Sequence, residues 1–512
     1  MAQQVVRLNL SASAFPFLSE FSGRGIIVKQ SDQNYLPTVT SKEDLDKDVG
    51  VPSVLYCHNV IATGQGYQAV GYDKRVIAPP YGAGGIINEI FPIIDTANSR
   101  KAYLAFTDLG NVHICVDPYY LWSLVTYDVS FAGKRVTHAH VNGVTYIYVD
   151  GVGAYKYNFA TYALDSVILT ALVAANIKGI AAVQGYLIAW SKDTVAWSSL
   201  VDPTDFTPSL STGAGSGSVQ EAKGDIVTCV SHGGGMVIYT NQNAVTAVYS
   251  GNTRYPFNFK ELSGSGGVSS LDMIAAEANS SAHYVYSSSG LQSVSLISCS
   301  TVMPEVTDFL SGALFEDFDE STNTLTQTAL TAPLLKRLAH VSDRYLIISY
   351  GIYEYTHALI FDTILKRWSK FRLTHIKVFE FQLMTDELVE TPRASMAFLT
   401  TSGDIYIVNL EPTNAASSGV VIIGKIQLIR QRVCVLDSVE VENVIDEGDF
   451  YCSDLYALDG KNFSEKVGYL QTDTRLFRKI LFNVTAINHT LLFKGAINLV
   501  SLVVSLHVHG RR

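Results

Sequence analysis

The sequence is short of charged residues and of tryptophan. Asp, Glu, Lys and Arg make up 16% of its 512 residues, against roughly 25% in an ordinary globular domain. Only 4 residues are Trp, while 28 are Tyr and 23 are Phe. The net charge of −10 argues against a protein whose main task is to grip nucleic-acid phosphates, because such binding requires clustered Lys and Arg. An acidic surface would still suit a conduit through which DNA slides without adhering, and we hold this as a hypothesis.

The cysteines are few and are not arranged in pairs. They show no C-x-x-C motif and no histidines at zinc-ligand spacing, so neither a disulfide scaffold nor a zinc site is indicated and buried free thiols are expected. Two glycine-rich segments, 211–220 and 263–270, lack the Gly-Lys-Ser/Thr end of a phosphate-binding loop, so we interpret them as flexible or turn-forming connections. No metal site, cofactor-binding residue or cofactor is predicted. The cysteines are Cys57, Cys115, Cys229, Cys299, Cys434 and Cys452.

Long uninterrupted apolar runs are also missing. The most apolar stretch, 166–190, contains Lys178, Gly179, Gln184 and Gly185, whereas a membrane span needs about 20 residues largely free of such breaks. No membrane-spanning segment is therefore predicted. The N-terminal segment has no positively charged region before a continuous apolar core, so a secretory signal is not expected. The final segment, AINLVSLVVSLHVHGRR, alternates near its end and predicts a buried strand.

What the sequence does contain is a repeated hairpin: an apolar-aromatic strand, a polar or glycine-containing turn, and a second alternating strand. From turn to turn, the first five hairpins are 42, 42, 49 and 47 residues apart, and the last two steps are 63 and 51 residues. A period of about 40–50 residues is typical of four-stranded propeller blades. The seven hairpins are AYLAFTDLGNVHIC, VTYIYVDGVGAYKYN, YLIAWSKDTVAWSS, MVIYTNQNAVTAVYS, HYVYSSSGLQSVSL, YLIISYGIYEYTHALIFD and MAFLTTSGDIYIVNL.

The repeat predicts an all-β chain with a six- or seven-bladed β-propeller. Hairpins that cannot bury their own faces must stack on neighbours, and closure into a ring leaves few exposed edges. We assign 1–80 to an N-terminal β-rich region that contributes to a platform, 81–412 to the propeller, and 413–512 to a C-terminal β-sandwich or platform region. The longest step predicts an insertion near 309–335. The alternative is a chain of unrelated β-sandwiches that share a hairpin spacing.

The stretch VAWSSLVDPTDFTP offers candidate nucleophiles and carboxylates: Ser198, Ser199, Asp202 and Asp205, with His232 downstream. No G-x-S-x-G nucleophile elbow occurs in the chain, and aspartates between prolines commonly bond their own backbone in turns. We therefore interpret VAWSS as the second strand of a blade hairpin, with Trp197 packed between blades. DPTDFTP is the turn that follows it.

Three further motifs are weak candidates for chemistry. The acidic residues of the insertion, Glu316, Asp317, Asp319 and Glu320, are typical of a solvated face. The segment SHGGGMVIY resembles an oxyanion loop, but it stands alone and leads directly into a repeat strand, which favours a turn at the start of a blade. The segment YALDGKNF lacks the Ser and Trp of a sialidase box, occurs once and lies outside the repeat.

The densest basic cluster, LKRWSKFR, spans 365–372. It carries too few cations for a nucleic-acid site, and we interpret it as an exposed strand edge with Trp368 packed inward. No catalytic residue is therefore predicted anywhere in the chain, and the protein is not expected to be an enzyme.

The order and spacing of several segments resemble the tail nozzle proteins of short-tailed bacteriophages, the group that includes tail tubular protein B and the packaged-DNA stabilisation proteins. The resemblance covers most of the chain, and none of the segments is a catalytic motif. They are CHNVIATGQGYQAVGY, QGYLIAWSKDTVAWSSLVDPTDFTPSLSTGAGSGS, DIVTCVSHGGGMVIYTNQNAVTAVYSG, FNFKELSGSGGVSS and SLVVSLHVHGRR.

The resemblance implies a structural protein of the virion tail. Six copies would form a ring below the portal and the adaptor, the head-to-tail connector, and the ring would retain the packaged genome and conduct duplex DNA during ejection. Tail fibres or tailspikes and a distal needle or plug are further implied partners. Two other classes stay open: a propeller hydrolase acting on surface polysaccharide, and a propeller module that binds glycans or a receptor. Two carboxylates about 5–10 Å apart in a pocket at the propeller axis would favour the hydrolase.

Overall fold

The chain is built almost entirely of β-strands. The computed structural model describes residues 3–8, 26–28, 53–64, 66–76, 85–95, 100–116, 121–253, 255–276, 282–382, 394–410, 418–428, 433–443, 450–457, 463–473, 477–486 and 488–508. Within them lie seven four-stranded antiparallel units, the blades, and at several junctions the first strand of one blade contacts the first strand of the next. The prediction of an all-β propeller is confirmed, and the number of blades is seven.

Each blade begins at the propeller axis and ends at its circumference. Blade 1 comprises Ile87–Asp95, Arg100–Thr107, Asn111–Val116 and Leu121–Tyr127. Blade 2 comprises Val136–Val141, Val144–Val149, Gly153–Asn158 and Ala163–Val167. Blade 3 comprises Gly179–Val183, Tyr186–Trp190, Thr194–Trp197 and Gly215–Ser218. Blade 4 comprises Ile226–His232, Gly235–Thr240, Ala244–Tyr249 and Phe257–Glu261. Blade 5 comprises Ile274–Ala276, His283–Ser287, Gly290–Val294 and Cys299–Thr301. Blade 6 comprises Leu335–Val341, Tyr345–Gly351, Tyr355–Asp362 and Arg367–His375.

Blade 7 is completed by a strand from near the beginning of the chain. Its first three strands are Lys377–Gln382, Ala394–Leu399 and Ile405–Asn409, and Gly71–Val76 pairs antiparallel with the third of them as the outer strand. The sequence-based boundary at residue 80 placed this segment in the N-terminal region, whereas its backbone pairing belongs to the propeller. The ring is therefore closed by hydrogen bonds between two distant parts of the chain.

The second strand of each blade is covered on both faces by neighbouring blades. Tyr186–Trp190, Gly235–Thr240 and Tyr345–Gly351 are buried at every position. Such strands consist of continuous apolar runs because no face meets water, whereas outer strands such as Phe257–Glu261 carry exposed polar residues. This difference explains why the apolar stretch 166–190 forms blade strands. Among the described residues, no helix is long and apolar enough to span a membrane.

An insertion separates blades 5 and 6, close to where the long repeat step predicted it. It consists of an α-helix, Pro304–Ser311, and an antiparallel hairpin of Leu314–Asp319 with Thr324–Ala329, which we call the inserted hairpin. Phe318 of this hairpin is fully buried against Tyr56, Val420 and Leu492. The insertion therefore packs on strands from both ends of the chain.

Those two ends together form a β-sandwich. One sheet contains Tyr469–Asp473, Phe477–Ala486, Cys434–Asn443, Asn498–Val508, Tyr67–Ala69 and Val60–Ala62, with Gln3–Leu8 also pairing with Asn498–Val508. The other contains Phe463–Val467, Phe450–Ala457, Asn488–Gly495, Gly419–Leu428 and Ile26–Val28, with Ser53–His58 also pairing with Gly419–Leu428. The final strand is buried as predicted, because its apolar side chains meet those of the opposite sheet.

The first sandwich sheet continues into the propeller. Arg367–His375, the outer strand of blade 6, pairs with the sandwich strand Val60–Ala62 at Lys370 and Val60. The prediction that this basic segment is an exposed strand edge is therefore wrong, because a strand from near the N-terminus covers it. Trp368 does pack inward, with its ring centroid 4.8 Å from that of Phe361. Propeller and sandwich are joined by backbone pairing.

Candidate functional site

The propeller axis, where many propellers hold their ligands, is crossed by charged side chains. Arg337 at the start of blade 6 places Nη2 3.1 Å from Oε2 of Glu89 in blade 1 and 3.1 Å from Oδ1 of Asp272, just before blade 5. Its side chain is 12% exposed. One guanidinium group thus joins carboxylates from two other blades.

Two more cations extend this network. Lys377 of blade 7 also pairs with Glu89, and its Nζ lies 3.0 Å from the carbonyl oxygen of Ile90. Burial lowers the pKa of Lys377 to about 7. Arg135 reaches from blade 2 to blade 4, where its Nη1 donates to the carbonyl oxygen of Val227 at 3.0 Å. These contacts therefore join blades that are neighbours or lie one blade apart around the axis.

Glu89 and Asp272 are the carboxylate pair that a glycosidase would require at the axis. In a glycosidase, one carboxyl must be protonated to serve as the acid, and the pair must face space for the sugar and, in inverting enzymes, a water. Here both carboxylates bind Arg337 and one also binds Lys377. Neighbouring cations favour the ionised form of a carboxyl group, so this arrangement is suited to holding blades together.

The structure does not assemble the candidate serine, histidine and aspartate residues into a catalytic triad. The hydroxyl of Ser198 donates to the carbonyl oxygen of Ser199 and accepts from the amide of Leu187. His232 is buried, and its ring lies edge-on to His283 with a centroid distance of 5.3 Å. These contacts lie in two different blades and serve local packing.

The aspartates of the same stretch are turn residues, as predicted. Oδ1 of Asp202 accepts from the amide of Thr204 at 2.9 Å, and Oδ1 of Asp205 accepts from the amide of Thr207 at 2.9 Å. These bonds to backbone amides two residues ahead are the expected use of Asp in turns. Trp197 is buried between blades 3 and 4 with its ring centroid 5.8 Å from that of Phe257, which confirms its predicted position.

The glycine-rich motifs form parts of blades and their turns. In SHGGGMVIY, the segment 233–234 is the turn between the first two strands of blade 4, as predicted. Gly215–Ser218 forms the outer strand of blade 3, so its interpretation as a flexible connection is wrong. Gly215 packs tightly under the indole of Trp197, because a Cβ there would lie 3.1 Å from Cζ2 of Trp197. In YALDGKNF, 458–462 lie outside the described residues.

The most chemically elaborate cluster lies where the inserted hairpin meets the sandwich and blade 6, and we call it the junction cluster. Asp317 accepts hydrogen bonds from Nη2 of Arg372 at 3.0 Å and from Nε2 of His357 at 3.2 Å. Glu320 accepts from Nε2 of His58 at 3.0 Å. The prediction of a solvated face is wrong for Asp317, whose side chain is 25% exposed and pairs with two strands of blade 6. Glu320 remains exposed, as predicted, although it also contacts His58.

The electrostatics of the junction cluster follow from its burial. Burial opposes ionisation of Asp317, but the hydrogen bond from His357 and the charge of Arg372 outweigh it and hold the pKa of Asp317 well below its usual range. Burial and the charge of Lys370 lower the pKa of His357 to about 3. His357 is therefore neutral at neutral pH, with its Nε2 proton donated to Asp317. Asp319 instead bonds locally to Ser321.

A lysine is enclosed beside this cluster. Lys370 is 1% exposed, and its Nζ lies 4.2 Å from the ring centroid of Tyr56 and 6.0 Å from that of Tyr350. Aromatic faces stabilise a desolvated cation at such distances. The side chain thus helps to join blade 6 to the sandwich, and its enclosure leaves no opening through which a substrate could reach it.

A second buried ion pair lies inside the sandwich. Nδ1 of His489 is 2.7 Å from Oδ2 of Asp454, and both side chains are fully buried. Nε2 of His489 lies 3.4 Å from the carbonyl oxygen of Cys434 on the opposite sheet. Burial opposes the charge on His489, but the carboxylate of Asp454 outweighs it and raises the pKa of His489 to about 10. The charged imidazole therefore ties the two sheets together.

Among the described residues, no group of three or more His, Cys, Asp or Glu side chains is arranged to hold a metal ion. The cysteines are free thiols, and of the six only Cys299 is partly exposed. Burial raises the pKa of Cys57 and Cys229, which disfavours the reactive thiolate.

Comparison with known proteins assigns the chain to no family. No protein-family model matches the chain, and no curated protein matches it. Among solved structures, the WD40 β-propeller domain of Doa1 is 10% identical, with a TM-score of 0.40, over 67% of this chain and 98% of that one. The chain is a β-propeller protein.

Two further solved structures are similar to the chain to about the same degree. YCF48, in a structure with a D1 peptide, is 9% identical with a TM-score of 0.39, and the match covers 67% of this chain and 97% of that one. A chain from the mitotic checkpoint complex is 10% identical with a TM-score of 0.37, over 65% of this chain and 93% of that one.

Proposed function

We propose that the protein is a structural subunit of a short-tailed phage tail nozzle. In this role, six copies form a ring below the portal and adaptor, retain the packaged genome and conduct DNA during ejection. The observation that carries the proposal is the rigid connection between propeller and sandwich. A shared sheet and the junction cluster join them, as a subunit that transmits load between neighbouring rings would require.

The sequence resemblance supports the same role independently of the geometry. Its segments extend from the sandwich strands near residue 57, through blades 3 and 4, to the final sandwich strand, so they span both parts of the subunit. The low charge and the enclosed titratable groups are consistent with a component that works through interfaces. Such a component needs stable surfaces more than it needs a reactive side chain.

In this proposal the DNA passes between copies of the chain. Arg337 forms ion pairs with Glu89 and Asp272 near the axis of the single propeller, which favours a conduit outside it. A ring with a repeated head-to-tail contact provides such a central space. A net charge of −10 per copy would limit adhesion of the phosphate backbone to its wall.

The experiment that tests this role is a reconstruction of the virus particle. We expect a sixfold ring of this chain in contact with the adaptor ring, with a lumen wide enough for duplex DNA. Another symmetry, or attachment at the periphery as a fibre, would overturn the proposal.

A second candidate function is glycan hydrolysis, because two carboxylates do converge at the axis. It requires that Glu89 or Asp272 act as an acid although Arg337 contacts both. Incubating the protein with host surface polysaccharide and analysing the products tests it. Release of oligosaccharides that is lost in Glu89→Gln but kept in Glu320→Gln would favour hydrolysis over the nozzle.

A further inference from the structure

The inserted hairpin is a small sheet of its own. Its two strands pair with each other and, within the described part of the chain, with no other strand. At its base the amide of Leu330 donates to the carbonyl oxygen of Ala313 at 2.8 Å, so both ends of the hairpin start from the same place. The hairpin can therefore leave as a unit without breaking a backbone ladder of the propeller or of the sandwich.

Phe318 of the hairpin fills a hollow on the second sandwich sheet, on the face that points away from the first sheet, and we call this hollow the socket. The ring of Phe318 is fully buried, and its centroid lies 5.8 Å from that of Tyr56 and 6.2 Å from that of His58. The strands that carry the socket residues are paired with one another, so its shape does not depend on the hairpin. The apolar wall of the socket consists of Tyr56, Val420, Ile422 and Leu492.

One guanidinium group at the edge of the socket contacts both the backbone and the carboxylates of the hairpin. Nη1 of Arg372 donates to the carbonyl oxygen of Phe318 at 3.0 Å, and Nη2 donates to Oδ2 of Asp317 at 3.0 Å. Nη1 also lies 3.6 Å from Oε1 of Glu320. The hydroxyl of Tyr56 donates to the other oxygen of Asp317 at 3.3 Å. A segment with one acid just before an aromatic residue and another two residues after it is thus recognised by a single cation.

Further donors on the rim of the socket match an acidic segment. Nε2 of His58 lies 3.0 Å from Oε1 of Glu320, and Nζ of Lys494 donates to the carbonyl oxygen of Glu320 at 3.3 Å. Glu465 is an acidic group on this rim, and it accepts from Nδ2 of Asn323 in the hairpin at 2.8 Å. In a chain whose net charge is −10, these cations and donors make the socket complementary to a ligand that carries carboxylates.

The attachment of the hairpin is suited to local release. Phe318 is fully buried, whereas Phe315 is only partly buried beside His357, with ring centroids 5.2 Å apart. Glu320 is 49% exposed, and ion pairs of exposed groups contribute little to stability. Release leaves intact the backbone pairing that joins blade 6 to the sandwich. Elements held in this way open at a lower free energy than the whole protein unfolds.

We propose that the socket is a docking site for acidic peptide segments with a central aromatic residue, and that the chain's own inserted hairpin occupies it reversibly. In the closed state Phe318 covers the apolar wall and Asp317 neutralises Arg372. In the open state the wall and the guanidinium group face water, and a segment of the same chemistry satisfies both. The hairpin therefore blocks the site until it leaves. This docking role is independent of the proposed nozzle assembly.

Fluorescence anisotropy with a labelled peptide of residues 313–330 tests the proposal on the full-length protein. In the Phe318→Ser protein the hairpin has lost its buried ring, so the socket should be vacant and the peptide should bind saturably. The wild type, whose socket is filled by its own hairpin, should bind the same peptide about tenfold or more weakly. A peptide that itself carries Phe318→Ser keeps the acidic residues, and it should bind the Phe318→Ser protein about tenfold or more weakly than the natural peptide does.

Two substitutions in the Phe318→Ser background separate the socket from general charge effects. Arg372→Gln should weaken binding of the natural peptide by about tenfold or more, because it removes the cation that contacts the peptide carboxylates. Lys366→Gln is the matched control. It removes an exposed cation of the same blade, in the turn before the strand of Arg372, and should leave the affinity unchanged.

Several outcomes would overturn the proposal. They are the absence of saturable binding, equal binding of the natural and the Phe318→Ser peptide, and equal binding of the natural peptide by the wild type and the Phe318→Ser protein. Loss of the folded circular dichroism spectrum in Phe318→Ser would also overturn it, because a removable hairpin is not required for folding. None of these results decides whether the chain forms a sixfold ring, which the particle reconstruction tests separately.

Discussion

The guanidinium group of Arg372 in blade 6 donates a hydrogen bond to the carboxylate of Asp317 in the inserted hairpin, with Nη2 3.0 Å from Oδ2. The same carboxylate receives the Nε2 proton of His357. One acidic side chain thus holds the insertion against two strands of the propeller. Its loss would remove the nearer of two carboxylates from a partly buried guanidinium group, because Oε1 of Glu320 lies 3.6 Å from Arg372.

Asp317→Ala is therefore expected to lower the free energy of unfolding by about 2–4 kcal/mol. The inserted hairpin should also become more susceptible to proteolysis, because its remaining contacts with blade 6 are weaker. Urea denaturation and limited proteolysis measure these effects. Asp319→Asn is the matched control, since Asp319 bonds only within its own turn to Ser321 in the contacts described above. Equal effects of the two substitutions would contradict the proposed role of Asp317.

Acid should destabilise the protein well before its carboxylates are protonated. Burial lowers the pKa of His283 and His375 to about 4 in the folded chain, against roughly 6.5 when unfolded. The unfolded state then binds more protons between these values, so stability falls as the pH drops from about 6.5 to about 4. Thermal unfolding midpoints across this range measure the loss. In His283→Gln the unfolding midpoint should fall less steeply with decreasing pH. A dependence on pH equal to that of the wild type would contradict the assignment of His283 as a buried neutral group.

Alkaline pH should weaken the sandwich through His489. Its pKa, about 10 in the folded chain, is above the unfolded value of roughly 6.5. The contribution of the pair with Asp454 is therefore complete below about pH 6.5 and is lost as the pH rises toward about 10. Removing one partner by Asp454→Asn is expected to cost about 3–5 kcal/mol at neutral pH, because a buried charge is left alone.

Urea denaturation of the wild type and of His489→Gln at about pH 7 and about pH 9.5 separates this effect from general alkaline instability. The difference in the free energy of unfolding between the wild type and His489→Gln should be smaller at the higher pH. His140→Gln is the control, since the ring of His140 is exposed on blade 2 and contacts only Thr145 among the bonds described. A constant difference between wild type and His489→Gln would show that the pair is not ionised.

Trp197 should contribute to stability and not to any reaction. Trp197→Ala removes a buried ring between blades 3 and 4, and is expected to cost about 3–5 kcal/mol. Gly215→Ala should cost about 1 kcal/mol or more because its new methyl group meets the indole. Gly153→Ala is the matched control, since a Cβ there meets nothing within 4 Å. Equal free energies of unfolding of Gly215→Ala and Gly153→Ala would contradict the tight contact between position 215 and the indole of Trp197.

The elements that the sequence predicted well are those with a local signal. The YLIAW and MVIYT strands are continuous apolar runs with a short turn before and after them, and they form the covered second strands of blades 3 and 4. The DPTDFTP turn was predictable because Asp bonds to amides two residues ahead. The outer strand Gly215–Ser218 was missed because glycine and serine are typical of turns. The indole of Trp197 that packs on this strand is a tertiary contact, which the local sequence does not reveal.

The pattern of residues along the chain by itself determined that the protein is all-β, that its hairpins repeat and that Trp197 lies between blades. Only the tertiary structure decided which distant groups meet. Gly71–Val76 closes blade 7, Asp317 pairs with Arg372 55 residues away, and Arg337 pairs with Glu89 248 residues away. The physical reason is that strand periodicity and turn chemistry act over a few residues, whereas an ion pair or a closing strand depends on how whole sheets pack around the axis.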